Sequence, residues 1–100
     1  MISHYYKRIW NETRGDEYDH WGPSVWYFEC TEPSGIVREQ IEIYQNGNAL
    51  FYGEDGIVSD NYGGLSEIPF EIEEWVLYEI SKSEYVSIKV ETLFINRGNS

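Results

Sequence analysis

Two histidines and one cysteine are the side chains of this chain with the readiest chemistry near neutral pH. His20 stands in Asp19-His20-Trp21, with Asp16 and Glu17 shortly before it. An imidazole beside a carboxylate can serve as a general base or as one ligand of a metal site. A metal site needs several donors at fixed spacing, and the chain holds no His-x-x-x-His or Cys-x-x-Cys pair. His4 lies beside Tyr5 in a run that reads as a strand. Cys30 is the only cysteine, with Glu29 and Glu32 close by in sequence. Neighbouring negative charge disfavours the thiolate, so Cys30 reads as a small buried apolar group rather than a nucleophile. A lone cysteine also excludes an intramolecular disulfide and fits a reducing compartment.

The glycine-rich segments are poorly equipped for phosphate. Gly53-Glu54-Asp55-Gly56 puts two carboxylates where a phosphate cradle needs bare N–H groups, and no Lys-Ser/Thr follows Gly63-Gly64. Asp16 and Asp19, or Glu54, Asp55 and Asp60, could offer oxygens to calcium, but the ordered EF-hand ligands with a closing Glu are missing. These acids read as solvated loops, and no cofactor or metal is expected. What they share is sign: 18 acidic against 7 basic residues give a formal net charge of -11. Such a surface repels phosphate backbones and anionic lipid, so nucleic acid and membranes are poor partners. It attracts a cationic protein surface instead.

The elements that must hold these residues are mostly strands. One hundred residues make a single domain, 1–100, and 17% aromatic content favours sheet over helix. The run Gln40-Ile-Glu-Ile-Tyr-Gln-Asn-Gly-Asn-Ala-Leu-Phe-Tyr-Gly53 reads as a hairpin turning at Asn46-Gly47. A two-residue turn there pairs Ile43 with Leu50 and Ile41 with Tyr52, and puts all four on one face. Residues 2–10 form a first strand with aromatics on both sides. Residues 24–31 form a second, whose better core face is Trp26, Phe28 and Cys30. A third strand runs from Ile36 into the hairpin, with a bulge or exposed end near Val37, where Glu39 interrupts the parity. Residues 11–23 and 53–64 are acidic loops, and residues 75–80 read as another strand.

Ser81-Lys-Ser-Glu84 fits a capping box and opens one helix, with Val86, Val90, Leu93 and Phe94 on its inner face; Val86, Ile88 and Val90 also alternate as a strand would, but the capping box and the terminal Asn96-Arg97-Gly98 favour the helix. The expected fold is α+β: an antiparallel, meander-like sheet of about five strands, with the C-terminal helix packed on one face against Ile41, Ile43, Leu50 and Phe28. The N-terminus has no apolar signal region, and no apolar run nears the roughly 20 residues of a membrane span, so a cytoplasmic protein is expected.

Three segments carry a resemblance: Arg38 to Tyr44 leading into Asn46-Gly47, then Gly63-Gly64-Leu65-Ser66-Glu67-Ile68-Pro69, then Glu79-Ile80-Ser81-Lys82-Ser83-Glu84-Tyr85. In spacing more than identity, over roughly residues 24–91, the chain resembles a small family of uncharacterised bacterial single-domain proteins. Members are often encoded among polymorphic-toxin and contact-dependent-inhibition immunity genes. The resemblance implies a toxin-neutralising immunity role and does not name the toxin; the acidic surface without catalytic equipment adds the expectation of a non-enzymatic protein and a basic partner such as a nuclease, whose groove it would block. Composition points to where it would bind. Asp16, Glu17, Asp19, Glu54, Asp55 and Asp60 would supply charge, and Tyr18, Trp21 and Tyr62 would anchor. Two rivals remain, the first using the same charges and the second using His20 with Asp16, Glu17 or Asp19. One is a nucleic-acid-mimicking inhibitor of a defence nuclease; the other is a small hydrolase or sugar-binding protein built on His20, with a carboxylate of its loop packed against it in a pocket.

Overall fold

The computed structural model describes residues 2–32 and 34–98, with side chains given to residue 93 except those of Glu32 and Ile72. Among the described residues seven strands occur in chain order: β1 (Ile2–Trp10), β2 (Ser24–Glu32), β3 (Val37–Tyr44), β4 (Ala49–Gly53), β5 (Ser59–Asp60), β6 (Gly63–Gly64) and β7 (Glu79–Ile80). The helices are α1 (Ile72–Trp75) and α2 (Lys82–Gly98), with single 3₁₀ turns at Asp19–Trp21 and Val76–Tyr78. A five-stranded antiparallel sheet has the order β4-β3-β2-β1-β7, and α2 packs on one face; β5 and β6 make a separate small ribbon. The α+β meander with a C-terminal helix is therefore the fold.

The hairpin between β3 and β4 turns differently from expectation. Tyr44 N–H donates to the Asn48 carbonyl at 2.8 Å, and Gly47, with φ of 95°, donates to the Tyr44 carbonyl at 2.9 Å. The loop has three residues, 45–47, closed by glycine in the left-handed region. The reason is tertiary: Gln45 and Asn46 spend their N–H groups on the carbonyls of Pro23 and Trp21, at 2.9 and 3.1 Å. Sliding the register by one residue turns every β4 side chain over. Ile41 now faces Phe51 and Ile43 faces Ala49, while Leu50 stands opposite Glu42 and Tyr52 opposite Gln40. Leu50 and Tyr52 thus leave the face of Ile41 and Ile43.

The expected irregularity in β3 is present. Glu29 pairs with Glu39 but Cys30 pairs with Val37, so Arg38 is the extra residue of a bulge. The bulge carries Val37 over to the face of Tyr6, Phe28 and Cys30.

The helix inner face also needs correction. Tyr85 and Thr92 are buried and Ile88 half-buried, whereas Val86, Val90 and Leu93 are 42, 61 and 40% exposed. Phe94 lies outside the described side chains. Tyr85 packs on Tyr27 and Ile41, flanked by Tyr5, Ile43, Phe51 and Ile88. Its hydroxyl donates to Glu39 at 2.9 Å, and Lys89 meets the same carboxylate at 2.8 Å. That polar clamp sets the roll of the helix, so the apolar face read from Val spacing is turned outward. Phe28 faces away from α2 altogether, against Phe70 and Trp75. Ser81 does cap the helix, accepting from Glu84 N–H at 3.1 Å. Residues 75–80 are not one strand: α1 and the 3₁₀ turn precede the two-residue β7.

Candidate functional site

Strand parity assigns each side chain to a face, and the face opposite α2 carries the site. Cross-strand register puts Arg8, Trp26, Glu42 and Leu50 in one row across four strands. The row toward the hairpin loop holds Trp10, Ser24 and Tyr44; the row on the other side holds Tyr6, Phe28, Gln40 and Tyr52. Except for Tyr6, Leu50 and Tyr52, the residues of these rows floor a cleft of about 620 Å³. Residues 12–16 wall one end, and Tyr62, Gly63, Gly64, Ser66, Phe70 and Trp75 wall the side. Phe70 and Trp75 stack with centroids 4.2 Å apart. They are held down at Gly35, whose carbonyl accepts from Phe70 N–H at 2.7 Å.

Along β3 a polar stripe lies on this face at every second residue. Gln40 Nε2 donates to Glu42 Oε2 at 2.8 Å, and the Tyr44 hydroxyl donates to Glu42 Oε1 at 2.5 Å. Gln40 also ties down the wall: its Nε2 donates to the Gly64 carbonyl, and its Oε1 accepts from Ser66 N–H at 3.0 Å. Glu42 is only 3% exposed. Desolvation pushes its carboxyl above the usual range, against the pull of the Tyr44 and Gln40 bonds and the Arg14 charge. Burial and the Glu42 carboxylate likewise push the Tyr44 phenol up.

Arg14 closes the end of the stripe. Its guanidinium lies over the rings of Tyr18, Trp21 and Tyr44, at 5.3, 5.4 and 5.7 Å. It donates to Asp16 and to the Tyr44 hydroxyl at 3.1 Å, and Nη2 bonds the Tyr62 carbonyl. The loop around it is pinned by its own acids. Asp16 accepts from Tyr18 N–H at 2.8 Å and Asp19 from Gly15 N–H at 2.7 Å. A hydrogen bond from Thr13, then that from Gly15, hold the Asp19 carboxyl below its ordinary value.

On the other side, Arg8 lies over three rings: Trp75 and Tyr78 at 5.1 Å and Trp10 at 5.8 Å. Among the described residues it has no hydrogen-bond or ion-pair partner.

The residues singled out from sequence fall into two groups. Asp16, Tyr18, Asp19, Trp21, Asp60 and Tyr62 come together at the cleft end near Tyr44. Tyr18, Trp21 and Tyr62 form a mutual ring cluster, with centroids 4.9 to 5.3 Å apart. Within it Trp21 is buried, and Tyr62 remains 38% exposed. Asp60 accepts from the Tyr52 hydroxyl and from Tyr62 N–H, each at 2.8 Å. Glu17 is exposed on the same loop. Glu54 and Asp55 lie at the opposite end of β3, where Glu54 pairs with Arg38 at 2.6 Å. His20 is exposed, is not among the residues lining this cleft, and lies near enough to Asp19 for its charge to help lower that carboxyl. Cys30 is fully buried, and desolvation followed by Glu29 raises its thiol pKa to about 12.

Arg8, Arg14, Trp26, Gln40 and Glu42 were not among the sequence candidates. The spacing Gln40-x-Glu42-x-Tyr44 was the available signal: a polar alternation opposite Ile41 and Ile43. Arg8 and Arg14 carry no comparable signal: Trp10, Asp16 and Tyr18 are local to them, but Trp75 and Tyr78 around Arg8, and Tyr44 and Tyr62 around Arg14, come from distant segments. Among the described residues no group of three or more His, Cys, Asp or Glu could hold a metal ion. None of the described helices is long and apolar enough to cross a membrane. No family model, curated protein or solved structure matches the chain.

Proposed function

We propose that this chain is a non-enzymatic immunity-type protein of the bacterial cytoplasm, which binds a cognate basic toxin, best a nuclease, and blocks its active-site groove. The observation that carries this reading is the direction in which the charges face. Several cations are consumed internally: Arg14 pairs with Asp16, Arg38 with Glu54 and Lys89 with Glu39. Glu12, Glu17, Glu71, Glu73 and Glu74 are exposed and form no ion pair with a described Lys or Arg. They stand on the loop before β2 and on or just before α1, two segments that contribute to the lining of the cleft. An acidic rim of this kind complements a groove shaped for phosphate and raises the rate of encounter with it. Tyr18 and Tyr62, on the same rim, supply rigid contact area that slows dissociation.

The test is co-expression with the product of the adjacent gene. A complex that survives gel filtration at about 0.15 M salt, together with protection of growth, is the expected result. Absence of both overturns the reading. Binding to a defence nuclease with no effect on the neighbouring gene product would assign the same charges to nucleic-acid mimicry.

A further inference from the structure

The cleft floor has a feature that toxin binding does not use. Trp26 sits mid-row between Arg8 and Glu42, half-buried, its Nε1 donating to Ser24 Oγ at 2.7 Å. A volume of about 620 Å³ lies within the range of small-molecule sites, and a lining whose exposed surface is mainly apolar, with aromatic rings and placed polar groups, suits them.

The charged groups lining the cleft divide by whether their bonds are already made. Both Glu42 oxygens accept hydrogen bonds from Tyr44 and Gln40. Asp16 holds Arg14 and Tyr18 N–H, and Arg14 is held in turn by Tyr44 and Tyr62. Arg8 differs. Its guanidinium is fixed over three rings, yet no described residue accepts from its N–H groups. A guanidinium held over ring faces keeps in-plane N–H donors available for a bidentate acceptor.

We propose that the cleft over Trp26 binds a flat organic monoanion, a ring bearing one carboxylate, with the ring stacked on the Trp26 indole and the carboxylate on Arg8. The ligand class follows from the row. Arg8 and Glu42 are two strands apart, roughly 10 Å between backbones, and Trp26 between them offers a ring-sized platform. One negative charge is satisfied at Arg8. A second would approach Glu42 or Glu12 on a chain of net charge -11, which disfavours nucleotides and polyphosphates. A cationic ligand would meet a carboxylate that is already saturated and two arginines that repel it. This site stands apart from the toxin reading and survives its failure.

The test titrates the full chain with three probes that share a ring and differ in charge: phenylacetate, phenylacetamide and phenethylamine. The indole N–H resonance of Trp26, assigned by its loss in Trp26→Phe, reports binding. Phenylacetate is expected to bind at least about tenfold tighter than phenylacetamide, the scale of one charge-assisted hydrogen bond, and phenethylamine weakest. Arg8→Gln should reduce the preference to under about twofold, with Arg8→Lys retaining part of it. Removing the cation from three rings could unfold Arg8→Gln; the order of the three probes on the wild type then decides. Tightest binding by phenethylamine, equal binding of all three, or no shift of the Trp26 resonance at millimolar probe overturns the proposal.

Discussion

The two faces of one sheet are finished in opposite ways. On the α2 face, Tyr5, Tyr27, Ile41 and Phe51 meet a regular helix through Tyr85 and Ile88. On the other face, Phe28 and Trp26 meet irregular segments, and the polar stripe Gln40-Glu42-Tyr44 is buried with its bonds satisfied. Period-2 alternation sends the side chains of each strand to both faces, so the contrast comes from the covering layer. A helix satisfies its own backbone and presents side chains only, which lets it close a dry core. Residues 11–16 and 62–75 have backbone groups to satisfy, and the sheet supplies polar side chains such as Gln40 for the purpose. That arrangement leaves a concave, partly polar surface, and the candidate site is there rather than on the helix.

Breaking the helix face should cost most. Tyr85 is 1% exposed, packed at 4.9 Å on Tyr5 and bonded to Glu39. Tyr85→Ala should cost about 3–5 kcal/mol, a large fraction of the stability of a domain this size. Urea denaturation of the purified variant measures it. A loss under about 1 kcal/mol would show that α2 is not integral to the core.

Breaking the cleft wall comes next. Gly35 has φ of +70°, and a Cβ built there would lie 1.9 Å from the Phe70 carbonyl oxygen. Gly35→Ala therefore has to move residues 65–75 or strain the turn, at about 2 kcal/mol or more. The melting temperature should fall and the Phe70–Trp75 stack should loosen. Near-ultraviolet circular dichroism reads the latter, while the far-ultraviolet spectrum of sheet and α2 should persist.

Glu42 sharpens the comparison through pH. Its folded-state pKa is raised, by desolvation first, above the ordinary value of 4.5. A raised carboxyl pKa means that the folded state binds the proton more tightly than the unfolded state. The associated stability is fully present below the unfolded value and is lost as pH rises through the folded value. Relative to Glu42→Gln, the wild type should therefore lose stability as pH rises from below 4.5 toward neutrality. Melting both proteins across that interval tests the sign, and a wild type that instead gains on the variant with rising pH would contradict it.

The smallest effect belongs to the outer helix face. Val90 is 61% exposed, so Val90→Ala should change stability by no more than about 0.5 kcal/mol. Set beside Tyr85→Ala, it separates the observed roll of α2 from the one its valine spacing suggested.

Much of the sheet was legible because strand signals are local. The runs of aromatic and β-branched residues place β1 to β4, Asn46-Gly47 marks the turn between β3 and β4, and Glu39 betrays the bulge. The hairpin register was not legible, since Pro23 and Trp21 decide it from 22 and 25 residues away in sequence, by accepting from Gln45 and Asn46. The roll of α2 turns on Glu39 in the same manner. At the site, Tyr18, Trp21 and Tyr62, picked by residue type, lie together, but Arg14, which lies over Tyr18 and Trp21 and bonds the Tyr62 carbonyl, was not visible without the fold. Trp21 lies inside that cluster, and Glu54 with Asp55 lies at the far end of β3.

In the proposed immunity role, the cleft rim, and not acidity in general, would meet the partner. Two double variants with the same change in net charge test it: Glu12→Lys/Glu17→Lys on the rim and Glu84→Lys/Glu91→Lys on exposed positions of α2. The association rate with the adjacent-gene product is measured for each at low salt. The rim variant should associate at least about tenfold more slowly than wild type, and the helix variant within about threefold of it. Equal slowing by both variants would contradict the claim, because the field of the whole chain would then account for the encounter.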